Sequence, residues 1–148
     1  MLKWTAPSIP ARKVGWERAY VEALQKYADS PFVWGASDCL MGPADLCEAM
    51  TGVNPFPIEF RRYRTASGSF RVLKSMGMAD VEEAIAAVMP RIPVAHARRG
   101  DVGVGEFMVR GRMVLATYVV MGSTALGKND DGNVVVPTLR LRSAFKVG

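Results

Sequence analysis

At 148 residues, 49% hydrophobic and 22% charged, the chain has the length of one domain and an ordinary globular balance, enough for a core without disulfide or metal staples. No apolar run reaches the roughly eighteen residues of a membrane-spanning helix, and Met1–Lys13 lacks the apolar stretch of a secretory signal. The net charge of +5 gathers at Arg61-Arg62-Tyr63-Arg64, Arg98-Arg99 and Arg140 to Lys146. No helix-turn-helix, RRM, KH or zinc-finger signature accompanies it, so it reads as a solvated surface and nucleic acid is not the expected partner.

In chain order, residues 1–13 read as an extended arm and 14–148 as a single domain. The arm carries two prolines by Pro10 and the apolar residues Met1, Leu2, Trp4 and Ile9, a composition that suits ordering against a neighbouring chain, with Trp4 as anchor. From Val14 to Ala28, Trp16, Ala19, Tyr20, Ala23, Leu24 and Tyr27 fall on one helical face, and Pro31 ends that helix by disfavouring the α conformation at Ser30. A second helix runs to about Met50, with Gly52 as its C-terminal cap. A third starts at Ser67 or Ser69 and ends near Gly77. A fourth spans Asp80 to Met89, with Asp80 capping and Glu83 three residues on. After Gly100 the pattern turns to strands over Asp101–Val104, Met113–Met121, Asn133–Val136 and Ala144–Val147, with a turn at Asp130-Asp131-Gly132. Helices first and strands second argue an α+β fold, with an antiparallel sheet or small barrel packed on the second helix.

The stretch Pro31-Phe32-Val33-Trp34-Gly35-Ala36-Ser37-Asp38-Cys39 bears the chemistry. An aromatic-x-Trp-Gly turn leads into Asp-Cys at a helix start, where partial positive charge favours a thiolate. Pro43 opposes this: inside a helix its ring would clash with the Cys39 carbonyl, so the helix should begin at about Leu40 or Met41, with Cys39 at its edge. Cys39 and Cys47 lie eight residues apart along one helical stretch, about 12 Å of rise, too far for a disulfide. Two Cys and one His, His96, offer no dedicated zinc site, and no cofactor is implied.

These residues resemble the NlpC/P60 superfamily of papain-like cell-wall peptidases, in which an aromatic-x-Trp-Gly motif precedes Asp-Cys and the cysteine is the nucleophile. Arg99-Gly100-Asp101-Val102 resembles the strand that opens the family's second half, and Ala116 to Gly122 its next strand. The resemblance puts the family's histidine at Ala116 and its third polar residue near Ala125 to Gly127, where nothing suitable stands. The closer likeness is to small NlpC/P60-like proteins encoded among tail genes of bacteriophages and gene transfer agents. Glu48-Ala49-Met50-Thr51-Gly52, Arg62-Tyr63-Arg64-Thr65 and Phe145-Lys146-Val147-Gly148 share in it. It implies a papain-like fold and a place at the virion tail tip, beside the hub and the tape-measure protein, on a protein made in the bacterial cytoplasm.

The sequence therefore reads as a tail-tip structural or assembly component on a degenerate NlpC/P60 fold. Cys39 is the candidate nucleophile, and Trp4, Arg61, Arg62 and Arg64 are candidate partner contacts. One alternative is an active cysteine peptidase or amidase cleaving peptidoglycan during genome delivery, which needs a base near Cys39. His96 precedes the Gly100-Asp101 strand and could serve only in a rearranged site. A third reading, a basic nucleic-acid-binding module, rests on charge alone.

Overall fold

The computed structural model describes residues 4–109 and 111–148. Four helices lead: α1 Trp16–Asp29, α2 Met41–Thr51, α3 Ala66–Ser75 and α4 Val81–Ala86. The strands are β1 Arg91–Ile92, β2 Val102–Val109, β3 Arg112–Val120, β4 Thr124–Asn129, β5 Gly132–Pro137 and β6 Ser143–Phe145. They form one antiparallel sheet in the order β1-β6-β2-β3-β4-β5, so the class is α+β.

The helix boundaries follow local chemistry. α1 starts two residues later than the apolar pattern suggests, because Gly15 takes a left-handed φ of 79° and Val14 is left wholly exposed. α3 starts at the Thr65 hydroxyl, which accepts from Gly68 N at 3.0 Å, and not at Ser67 or Ser69. At α4 the reciprocal cap forms: Asp80 accepts from Glu83 N, and Glu83 reaches back to Ala79 N. That helix ends at Ala86, short of Met89. α2 is buried over most of its surface, as a central helix must be. Gly42 lets it lie against α1: a Cβ there would sit 2.1 Å from the Tyr27 ring.

β2 and β3 pair along eight residues, from Val102↔Val119 to Val109↔Arg112. β3 and β4 pair only at Val119↔Leu126 and Val120↔Ala125, then part. The site lies in that fork. One core cluster joins α1 and α2 to Val102, Val119 and Phe145. A second, on Ala116, Tyr118, Val120, Ala125 and Leu141, takes Cys39 against it.

The arm differs from expectation. Its described part packs on its own domain: Trp4 stacks on Phe56 with ring centroids 6.1 Å apart and meets Phe60 edge-on at 6.2 Å. Arg12 binds Asp101 at 2.9 Å, the Arg99 carbonyl at 2.8 Å and the Val147 carbonyl at 2.8 Å. Apolar burial and a buried ion pair order the segment without a neighbour. Met1 and Leu2 lie outside the described residues.

Candidate functional site

The aromatic-x-Trp-Gly-Asp-Cys stretch forms a tight loop between α1 and α2. Gly35 has φ 80° and approaches another backbone so closely that a Cβ would lie 2.4 Å from the Arg61 carbonyl oxygen, so only glycine fits. Asp38 is buried and organises the loop. One carboxylate oxygen accepts from Leu40 N at 3.0 Å and Met41 N at 2.8 Å, the other from Gly35 N at 2.8 Å and Tyr63 Oη at 2.5 Å. Asp38 thus ties the first amides at the start of α2 to the turn before it and to a tyrosine 25 residues on.

α2 begins at Met41, which leaves Cys39 just outside it, as Pro43 requires. Proline has no N–H to give the Cys39 carbonyl, and that carbonyl accepts instead from the Thr117 hydroxyl of β3. The lost helix bond is replaced by one that ties the cysteine to the fork.

Cys39 keeps some exposed surface, but burial pushes its thiol up to about 11. The Asp38 charge raises it further, and donors from Thr117 offset part of this. The helix-start stabilisation of a thiolate is outweighed, and the sulfur stays protonated at neutral pH. Among the described residues no histidine hydrogen-bonds Cys39. His96 stands exposed on a short turn, Val94–His96, before β2. Ala116, the position that the resemblance assigns to a histidine, is buried on β3 and lines the same cleft as Cys39. Cys47 is a fully buried free thiol inside α2, bonded with Thr51.

The cleft measures about 420 Å³ and runs from Cys39 through the β3–β4 fork to α3. Phe32, Trp34, Phe56, Phe60 and Phe70 give it aromatic walls, and Lys128 to Asp130 a polar end. Tyr27, Tyr63, Tyr118, Thr117 and Lys128 surround the cysteine region, and sequence reading named none of these as site residues. The phenols of Tyr27 and Tyr63 are raised by burial and by the charge of Asp38 and Cys39. Lys128 stands next to the segment judged empty of polar candidates. Its buried ammonium donates to the Ser30 carbonyl at 2.5 Å and lies 4.9 Å from the Tyr27 ring, holding β4 to the end of α1.

Of the candidate partner contacts, Arg61 is engaged within the chain, 2.6 Å from Asp45. Arg62 and Arg64 are exposed beside buried Tyr63, whereas Trp4 is packed internally. Among the described residues no cluster of His, Cys, Asp or Glu could hold a metal ion, and no helix is long and apolar enough to cross a membrane.

A family model described as "Domain of unknown function (DUF6950)" matches residues 11–147. No curated protein and no solved structure matches the chain.

Proposed function

The chain belongs to the DUF6950 family, and we propose that this member is a structural or assembly component of a phage-like tail tip, built on a degenerate papain-like NlpC/P60 fold. The observation that carries the reading is the state of Cys39. In the NlpC/P60 resemblance it takes the nucleophile's place, yet burial and the neighbouring carboxylate hold its thiol near 11, and Ala116 stands at the position that the resemblance gives the base. A cysteine hydrolase needs the reverse: a lowered thiol pKa and an imidazole in reach. What the motif residues do instead is hold together the loop, the α2 start and Tyr63. In this reading the partners are the tail hub or a neighbouring tip protein, with the tape-measure protein close by, and the virion tail tip is where the protein resides.

The test is Cys39→Ser in assembled particles, with peptidoglycan zymography in parallel. Particles carrying Cys39→Ser should assemble and infect as the parent does, and neither protein should clear peptidoglycan. Clearing by the parent and none by Cys39→Ser would overturn the reading in favour of an active peptidase or amidase, for which the open cleft beside Cys39 leaves room. Particles that assemble and infect without this chain would remove the assembly role.

A further inference from the structure

The fork between β3 and β4 leaves a strand edge without a partner. Continuing the ladder from Val119↔Leu126 would set Thr117 opposite Lys128, Ala116 opposite Asn129 and Leu115 opposite Asp130. Leu115 and Ala116 on one side and Lys128, Asn129 and Asp130 on the other line the cleft instead. The side chain of Thr117 is taken by the Cys39 carbonyl. The edge of β3 from Val114 to Ala116 has no strand partner among the described residues, while its other edge pairs fully with β2. A strand edge beside an apolar cleft is the arrangement that receives an added strand: backbone groups give affinity and the cleft takes alternate side chains.

Charge selects among such segments. On the bank formed by the 58–61 turn and α3, Arg62, Arg64, Arg71 and Lys74 are exposed, each next in sequence to a residue lining the cleft. None of the four makes an ion pair among the described residues, and the exposed carboxylate on that bank is Glu59. Asp130 and Asp131 stand across the cleft at the end of β4. The cationic bank therefore faces whatever lies along α3, and an acidic segment complements it.

We propose that the fork is a strand-addition site for an extended acidic segment of another polypeptide. The segment pairs antiparallel or parallel with β3 over Val114–Ala116, sets its apolar side chains into the cleft and turns its carboxylates toward α3. This rests on the assembly reading, for which it supplies the docking element.

The experiment pans the purified full chain against a random peptide library and resynthesises the retained peptides with N-methyl groups on alternate residues. Retained peptides should alternate apolar and acidic residues. N-methylation on one edge should weaken binding by about tenfold or more and on the other edge leave it unchanged, because an added strand uses one edge only. Arg64→Glu with Arg71→Glu, both at exposed positions, should weaken binding by about tenfold while the circular dichroism of the chain is unchanged, and added salt should mimic the change. No retained peptide, no acidic bias, or equal binding by both N-methyl series would overturn the proposal. The assay uses the isolated chain, so particles that need the chain while it retains no peptide would sink this site alone, and peptide capture by a chain that particles do not need would sink the assembly reading alone.

Discussion

Two aspartates, Asp38 and Asp101, are each 1% exposed, yet they are satisfied in opposite ways. Asp101 lies at the junction of the chain's two ends. It takes Arg12 at 2.9 Å, Arg98 N at 2.8 Å and Val147 N at 3.1 Å, and Arg12 is itself covered by Trp16, its guanidinium carbon 4.3 Å from the ring centroid. Asp38 has three backbone amides and a phenol, with no cation paired to it among the described residues and with a thiol beside it. A carboxylate paired with a guanidinium closes a structure across a distance. One held by neutral amides fixes a local turn and leaves its charge acting on its neighbours, here Cys39, Tyr63 and Tyr27. A thiolate at Cys39 is thus disfavoured first by burial and then by the charge of the aspartate that supports the loop.

The contrast predicts its largest effect at the junction. Arg12→Ala leaves Asp101 buried with its charge unmatched and frees the arm and the C-terminus together, at a cost of about 3–5 kcal/mol in urea or thermal unfolding. A loss under about 1 kcal/mol would show that the pair is solvated and that the arm is not part of the fold. Asp38→Asn should cost less, about 2–3 kcal/mol, since an amide keeps one acceptor oxygen but turns N–H groups toward a donor. It should also lower the Cys39 thiol below about 11 by removing the adjacent charge, measurable from the pH dependence of alkylation.

The junction was invisible in the sequence for a physical reason. Arg12 and Asp101 are 89 residues apart, and nothing local to either marks a long-range pair. The helices were legible because their caps are local: Asp80, Gly52 and Pro31 act within a turn of where they stand. β4 was not, except through the family resemblance. Its inward positions include Gly127, needed because the Tyr118 ring occupies the space of a side chain there, and Lys128, whose charge reads as surface. At the site, the Asp-Cys pair and the consequence of Pro43 could be read directly. The Thr117 hydroxyl that repairs the Cys39 carbonyl, and the tyrosines around the thiol, come from elements that only the fold brings near.

Alkaline pH sharpens the comparison next. The Cys39 and Cys47 thiols are both raised to about 11 in the folded chain from 9.0. Between those values the folded state keeps protons that the unfolded state has released. Stability from these groups is therefore fully present below about pH 9, declines as pH rises and stops declining above about 11. Each thiol contributes a slope of up to about 1.4 kcal/mol per pH unit. Cys39→Ala should flatten the unfolding free energy against pH by one thiol's share, and an unchanged slope would mean that the sulfur reaches solvent.

The smallest effect is expected for Trp4→Phe, and it decides what the arm is for. Its ring packs on Phe56 and Phe60, while its indole N–H is buried and finds no acceptor among the described residues. A buried donor without a partner is destabilising, whereas the ring's apolar contacts stabilise. Trp4→Phe keeps most of the aromatic contact and deletes the stranded donor, so the stability of the isolated chain should change by less than about 0.5 kcal/mol. Trp4→Ala removes both and should cost about 3 kcal/mol. If the arm serves only its own domain, the Phe variant should enter particles as the parent does. A Phe variant that folds normally yet fails to enter particles would show that the indole N–H finds its acceptor on a neighbouring chain. Trp4 would then be an intermolecular contact, despite its packing inside this one.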